Sequence, residues 1–134
     1  MALPGGKAER TDTSIIQTAL REASEEIGIN SEDVNILGTL STLYIPPSNY
    51  IIYPVVGFCS YRPQFIPELN EVQQIIEYPV LDLLNKDNLK RKEFVVRNGV
   101  TFSAPYFDIK GHVVWGATSM ILSEFAEMLK EVKR

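Results

Sequence analysis

Residues 3–29, LPGGKAERTDTSIIQTALREASEEIGI, decide the fold, because they contain a glycine turn, a polar loop and an amphipathic helix. Asp12, Thr13 or Ser14 can cap the start of that helix, and Gly28 stands where a left-handed residue commonly ends one. Apolar residues recur between these caps at spacings of four, three and four, namely Ile16, Leu20, Ala23 and Ile27. The pattern predicts a helix with one buried stripe.

The same helix carries an acidic face, formed by Glu22, Glu25 and Glu26 within about 100° of one another. Like charges one turn apart repel, and acids near a helix C-terminus are unfavourable. Arg21 can pair with Glu25 four residues on, but one cation does not neutralise three carboxylates. A divalent cation would, since magnesium prefers oxygen ligands and also binds substrate phosphates. The alternative is a solvated face that keeps the protein soluble, and the charge pattern alone favours it.

The glycine turn and the helix together resemble the Nudix box. Gly6 opens the box, Asp12 takes its first acidic place, and residues 21–29, REASEEIGI, match its second half position by position. Two departures are present: the first acid is Asp rather than Glu, and eight residues rather than seven separate it from Arg21. The longer spacing is similar to the variant box of the coenzyme A pyrophosphatase branch. The chain is therefore identified as a member of the Nudix family.

This resemblance implies the Nudix α/β/α sandwich with a mixed β-sheet, in the α/β class. Length and apolar content predict a single domain over residues 1–134. Several strands normally precede the box in this family, so the resemblance also implies an N-terminally truncated fold. An unpaired sheet edge would favour dimerisation, and a homodimer is therefore among the expected assemblies.

The resemblance further implies a metal site for Mg²⁺ or Mn²⁺. Its ligands would be the carboxylates of Glu22, Glu25 and Glu26 and the backbone carbonyl of Gly6. Arg21 would orient these carboxylates through charge-assisted hydrogen bonds.

One glutamate must accept the proton of the attacking water, and Glu22, Glu26 and Glu71 all stay open as candidates. Glu71 lies where related enzymes often carry a loop acid, with Glu68 as the second choice and a solvated loop acid as the alternative. The implied catalytic residues are Arg21, Glu22, Glu25, Glu26 and Glu71.

A second region bears on the substrate. Residues 105–122, PYFDIKGHVVWGATSMIL, are similar to the closing stretch of coenzyme A pyrophosphatases. The resemblance implies that coenzyme A or an acyl derivative is cut to 3′,5′-ADP and (acyl-)4′-phosphopantetheine. The alternatives are a Nudix pyrophosphatase for ADP-ribose or a dinucleotide, and an inactive truncated domain that only binds metal or nucleotide. No substrate-binding residue is assigned.

The resemblance implies a small-molecule nucleotide as the partner, and the composition argues against other classes of partner. The net charge of −4 argues against a nucleic-acid partner. No apolar run is long enough to span a membrane, and the first residues lack the pattern of a signal peptide. The single cysteine, Cys59, fits a reducing cytoplasm.

The rest of the chain yields further predictions of local structure. Strands are expected at 34–44 and 50–61, paired as a long hairpin, and at 72–80. A helical turn is expected at 81–84 and a charged connection at 85–92. Asn98-Gly99 predicts a hairpin turn between strands at 93–96 and 100–107, and a final helix is expected at 116–132.

Overall fold

The computed structural model describes residues 1–46, 48–96 and 98–132. The chain divides into two compact units, which are described in turn. The N-terminal unit is Leu3–Glu77, and the C-terminal unit is Tyr78–Arg134 together with Met1–Ala2. Helices and strands both occur in the described residues, as the predicted α/β class requires. The single domain over residues 1–134 stays a prediction.

The N-terminal unit begins its regular structure with α1, Ile15–Ile27. Ser14 caps the helix, because its hydroxyl accepts the Gln17 N–H at 3.1 Å. Gly28 ends it in the left-handed conformation (φ 72°), and its N–H donates to the Ser24 carbonyl. Both predicted helix ends are therefore confirmed.

Four strands follow in this unit: β1 (Asn35–Thr39), β2 (Leu43–Ile45), β3 (Tyr50–Ile52) and β4 (Val55–Phe58). β1 pairs with β4 and β2 with β3, both antiparallel, so the predicted pairing of the two segments is confirmed. The predicted strands are each interrupted, at 40–42 and 53–54, and the second ends at Phe58. The register shifts between Ile36 and Gly38, which leaves Leu37 as the extra residue of a bulge.

The segment after β4 contradicts one prediction. Residues 72–79 contain no strand. The N–H groups of Glu71 and Val72 both donate to the Glu68 carbonyl, so the chain turns where the strand was expected to begin. Upstream of this turn, the N–H groups of Ile66 and Glu68 donate to the carbonyls of Ile27 and Glu26. These bonds hold the loop against the end of α1.

The C-terminal unit contains a three-stranded antiparallel sheet and one long helix. Its strands are β5 (Leu89–Val95), β6 (Thr101–Ile109) and β7 (His112–Val114), in the order β5-β6-β7, and α2 is Gly116–Val132. Two short 3₁₀ turns, Val80–Leu84 and Lys86–Asn88, precede β5. The helical turn at 81–84, the hairpin around Asn98-Gly99 and the final helix are thus confirmed.

The charged connection predicted at 85–92 is wrong over its second half, because β5 begins at Leu89. Lys90, Arg91 and Lys92 all lie on this strand, opposite Tyr106, Pro105 and Ala104 of β6. Their side chains therefore alternate between the two faces of the sheet.

The core of the C-terminal unit is formed by residues of the sheet, the first 3₁₀ turn and α2. The buried apolar side chains are Leu83, Phe107, Ile109, Val114 and Ala126. Phe94 and Trp115 stack with ring centroids 4.4 Å apart, and Phe94 also stacks on Phe102 at 5.7 Å.

All strand pairings among the described residues are antiparallel. A parallel pair, which the predicted mixed sheet needs, requires a crossover connection between two strands of one sheet. No such connection is found in the described ranges, where paired strands are joined by turns or by an intervening hairpin.

Neither α1 nor α2 is long and apolar enough to cross a membrane.

Candidate active site

The site predicted from the sequence lies within the N-terminal unit, on the last two turns of α1. Glu22 and Glu26 are half-buried there, whereas the side chain of Glu25 is 58% exposed. Because residues four apart share a helix face, Glu22 and Glu26 point to the same side of α1.

Arg21 lies at the centre of the polar contacts and binds several acids at once. Its Nε donates to Asp12 Oδ1 at 3.0 Å, and its Nη2 donates to Asp12 Oδ2 at 3.0 Å. Its Nη1 donates to Glu22 Oε1 at 3.1 Å and to Glu25 Oε2 at 3.2 Å, and lies 3.4 Å from Glu9 Oε1. The predicted Arg21–Glu25 pair is confirmed. Arg21 therefore fixes the carboxylate of Glu22 in place.

Asp12 anchors Arg21 to the loop before the helix. Its side chain is only 4% exposed and also accepts the Glu9 N–H and the Thr18 hydroxyl, each at 2.9 Å. The hydrogen bonds from Arg21 contribute most to lowering the pKa of Asp12, which is about 2. The same contact raises the pKa of Arg21. Both side chains of this pair therefore stay charged at neutral pH.

We expect Asp12→Asn to lower the stability of the protein at neutral pH, because the variant loses the ion pair with Arg21. A depressed carboxyl pKa contributes stability above the unfolded value of 3.8, and that contribution is lost as the pH falls through about 2. The difference in denaturation midpoint between wild type and variant should therefore be constant near neutrality and shrink below about pH 4. Glu32→Gln, at an exposed position, is the control. A pH-independent difference would contradict the assignment.

The glycine turn, Gly5–Gly6, packs directly against the acidic face. The Gly5 N–H donates to Glu26 Oε2 at 3.3 Å. A Cβ on Gly6 would lie 2.5 Å from Cδ and 2.8 Å from Oε2 of Glu22, so no side chain fits there while Glu22 keeps its position. The Lys7 carbonyl accepts a hydrogen bond from Arg21 Nη2 at 2.9 Å, which holds the turn on the helix.

Glu22 and Glu26 lie together at this turn, and the charge of Glu71 acts on Glu26; these three acids are called the carboxylate cluster. Partial burial raises the pKa of Glu26, and the nearby charges of Glu22 and Glu71 raise it further against the opposing hydrogen bond from Gly5. The loop that carries Glu71 is held on the end of α1 by the backbone hydrogen bonds of Ile66 and Glu68. Negative charge is therefore concentrated here, and Arg21, which binds Glu22, offsets only part of it.

The two loop acids have different roles in the structure. The side chain of Glu68 accepts the Asn70 N–H at 3.1 Å and so stabilises its own turn. Glu71, in contrast, contributes charge to the carboxylate cluster. The choice of Glu71 before Glu68 as a catalytic residue stays a prediction.

Residues 1–97 match the NUDIX domain family, which is well over half of the chain. The chain belongs to the Nudix hydrolase family. The match includes the glycine turn, α1 and the loop of Glu71, and it confirms the family and fold class predicted from the sequence. A Nudix hydrolase is an enzyme, and the family supports hydrolysis of a pyrophosphate bond as the reaction class.

Similar proteins match nearly the whole chain, including residues beyond position 97. The Nudix hydrolase NudL of Pectobacterium atrosepticum, whose name marks it as uncharacterized, is 35% identical over 98% of the chain and 67% of its own length. NudL of Photorhabdus laumondii is 32% identical over 97% and 68%. The mitochondrial coenzyme A diphosphatase NUDT8 of Homo sapiens is 31% identical over 96% of the chain and 55% of its own length. The chain thus spans about half to two thirds of these relatives.

Nudix hydrolases generally use divalent metals, which bind carboxylate oxygens of the kind that Glu22 and Glu26 carry. The carboxylate cluster offers hard oxygen ligands, and Glu22 occupies the space that a side chain on Gly6 would fill. Within residues 1–46, 48–96 and 98–132, however, no three His, Cys, Asp or Glu side chains form a group that could hold a metal ion. Glu25 is turned to Arg21 at 3.2 Å. The set of Gly6, Glu22, Glu25 and Glu26 stays a prediction.

Three contacts of this site were not predicted from the sequence. They are the approach of Glu9 to Arg21, the hydrogen bond from Gly5 to Glu26, and the position of Lys7 Nζ 5.0 Å from the centre of the Tyr50 ring. All three depend on how the loop before α1 folds back on the helix. The sequence held one signal for this, since the box places Asp12 within reach of Arg21.

Proposed function

We propose that this protein hydrolyses coenzyme A or acyl-coenzyme A, with Mg²⁺ or Mn²⁺, to 3′,5′-ADP and (acyl-)4′-phosphopantetheine. The single observation that carries the reaction class is the carboxylate cluster packed on the glycine turn within a NUDIX domain. The similarity to a coenzyme A diphosphatase over 96% of the chain supports the substrate.

The roles of the residues follow from their positions. Glu22, Glu25 and Glu26, with the Gly6 carbonyl, would hold the metal, which when bound would neutralise charge on the phosphoryl oxygens and the leaving group. Arg21 orients Glu22 and Glu25 through Nη1, and Asp12 holds Arg21. Asp12 is in this scheme a positioning residue, because it acts through Arg21.

The reaction itself is a hydrolysis. The oxygen of a water molecule forms a bond to one phosphorus, the bridging P–O bond breaks, and a glutamate accepts the proton of the water. Glu22, Glu26 and Glu71 are the candidates for this proton acceptor. Glu68 is a weaker candidate, since its carboxylate already accepts the Asn70 N–H.

The test is hydrolysis of coenzyme A by the full chain in the presence of Mg²⁺ or Mn²⁺, with products separated by chromatography. We expect release of 3′,5′-ADP that stops when the metal is chelated. ADP-ribose and a dinucleotide, assayed in parallel, test the alternative substrates. Turnover of those compounds without turnover of coenzyme A would contradict the proposed substrate but keep the reaction class. No turnover of any of them, with metal or nucleotide still bound, would favour the inactive domain.

The predicted homodimer and cytoplasmic location also remain proposals. Cys59, the single cysteine, is a free thiol and fits a reducing compartment. Sedimentation of the purified chain tests the dimer.

A further inference from the structure

The N-terminal unit is rich in acids and poor in cations. Between residues 3 and 77 the sequence has ten Asp and Glu residues and four basic residues, which are Lys7, Arg10, Arg21 and Arg62. A nucleotide substrate is itself anionic, so its phosphates are repelled by this unit unless a cation receives them. The question is which of the four basic side chains is placed to do so.

Two of the four are engaged by carboxylates. Arg21 binds Asp12, Glu22 and Glu25 and is therefore occupied in orienting the acids of the site. Arg62 forms a two-point pair with Glu77, at 3.0 Å and 2.9 Å. Neither guanidinium is available to a substrate without breaking several charge-assisted hydrogen bonds.

Lys7 differs from both arginines, because its ammonium group contacts an aromatic ring and not a carboxylate. Lys7 Nζ lies 5.0 Å from the centre of the Tyr50 ring, within the range of a cation–π interaction. Such a contact is weak at an exposed site and leaves the positive charge unneutralised. The ammonium can therefore turn to an anion at little cost.

The backbone of Lys7 is held beside the carboxylate cluster. The preceding residue, Gly6, lies against Glu22, and the Lys7 carbonyl accepts from Arg21 Nη2 at 2.9 Å. Gly5 is held in the same way, through its N–H on Glu26. The lysine is thus fixed at the edge of the site and not on a loose loop.

Tyr50 is held from the other side by the β2–β3 hairpin. It is the first residue of β3 and pairs with Ile45 of β2. The preceding residue, Asn49, adopts a left-handed conformation (φ 58°), and its side-chain oxygen accepts the Tyr44 hydroxyl at 2.7 Å. The backbone of Tyr50 is therefore fixed by the hairpin, and its ring, which is 48% exposed, contacts Lys7.

We propose that Lys7, positioned on the ring of Tyr50, binds a phosphate group of the nucleotide substrate at the edge of the carboxylate cluster. The inference deepens the proposed function and rests on it for the identity of the substrate. Lys7 supplies positive charge where the acids alone would repel the substrate, and Tyr50 keeps its long side chain in place before the substrate arrives. The ammonium donates to a phosphate oxygen, and no covalent step is involved.

The test is Lys7→Gln, which removes the charge and keeps most of the length of the side chain. For coenzyme A we expect KM to rise about tenfold with kcat within about twofold, as for the loss of one charge-assisted hydrogen bond in binding. The dissociation constant of 3′,5′-ADP, measured by calorimetry on the full chain, should rise by a similar factor. Lys7→Arg should restore most of both.

Arg10→Gln is the matched control. Arg10 is exposed on the same loop, three residues from Lys7, and its loss changes the net charge equally. We expect its KM and its affinity for 3′,5′-ADP to stay within about twofold of wild type, because an exposed charge that does not contact the substrate is screened by solvent and salt. Equal effects of Lys7→Gln and Arg10→Gln would overturn the proposal, because they would reduce it to general electrostatics.

The two sources of phosphate are separated by a second substrate, 3′-dephospho-coenzyme A. If the effect of Lys7→Gln persists on it, Lys7 binds the diphosphate; if the effect disappears, Lys7 binds the 3′-phosphate. Binding of 3′,5′-ADP that depends on Lys7, in a chain without turnover, would sustain this inference while the proposed function fails. If Lys7→Gln leaves the turnover of coenzyme A unchanged, the proposed function stands and this inference fails. A wild type that binds no 3′,5′-ADP would also overturn the inference.

Discussion

Glu26→Gln is expected to reduce metal-dependent hydrolysis about a thousandfold, because a metal ligand would be lost from a site whose charge stabilisation is worth several kcal/mol. The carboxylate of Glu26 is the acid that accepts the Gly5 N–H and lies near the charges of Glu22 and Glu71. The measurement is kcat for coenzyme A at saturating Mg²⁺, with Glu25→Gln assayed beside it. We expect a large loss in that variant too.

Glu26→Gln should also be more stable than wild type when metal is absent. The pKa of Glu26 is raised in the folded protein, so ionised Glu26 opposes folding at neutral pH. The stabilisation by Glu26→Gln should shrink as the pH falls through the raised pKa of folded Glu26 toward the ordinary glutamate value of 4.5, and should be nearly absent below that value. Glu32→Gln, at an exposed position, is the control for both measurements. Unchanged activity in Glu25→Gln and Glu26→Gln together would refute the proposed metal site.

Gly6→Ala is expected to lower kcat about a hundredfold while costing little stability, as for the displacement of a group that supports a metal site. The new Cβ would lie 2.5 Å from Cδ of Glu22, so the carboxylate must move. The end of a glutamate side chain can do so cheaply, but it then leaves the position in which Arg21 holds it at 3.1 Å. The measurements are kcat with Mg²⁺ and the denaturation midpoint without it.

Gly5→Ala is a matched control one residue away. No atom lies within 4 Å of a Cβ at Gly5, and its N–H to Glu26 is kept. We expect activity within about twofold of wild type, since the substitution adds one methyl group in open space. If Gly5→Ala and Gly6→Ala lose activity equally, the close approach of Gly6 to Glu22 is not what the site requires.

The elements that the sequence predicts well are those with local signals. The ends of α1 follow from Ser14 and Gly28, which act within one turn of the helix. The β5–β6 hairpin follows from Asn98-Gly99, where Gly99 has the positive φ of 82° that such turns favour. α2 runs from Gly116 to Val132, as its apolar periodicity indicates.

The predictions that failed lacked such signals. The segment after Glu71 is apolar and was expected to be a strand, but a strand requires a partner, and the hydrogen bonds to the Glu68 carbonyl turn the chain instead. Conversely, Lys90 to Lys92 looked like a solvated connection. Pairing with β6, with Lys90 Nζ 2.7 Å from Asp108 Oδ2, makes them a strand. In the first case a local turn replaced the strand, and in the second the pairing with β6 outweighed the local pattern.

The candidate site divides in the same way. The Arg21–Glu25 pair is one helical turn apart and was predicted from spacing alone. The approach of Gly6 to Glu22 and the position of Lys7 on Tyr50 join residues 16 and 43 positions apart in the sequence. Only the folding of the loop onto α1 and the hairpin creates them.

The stack of Phe94 on Trp115 provides a spectroscopic probe of unfolding. Trp115 is the single tryptophan of the chain and lies in the C-terminal unit, so its fluorescence emission reports the melting of that unit. Far-ultraviolet circular dichroism senses α1 and α2 alike. Coincident transitions by both probes would mark one cooperative block. Separate transitions would mean that a cation stabilising α1 leaves the fluorescence melting curve unchanged and is visible by dichroism alone.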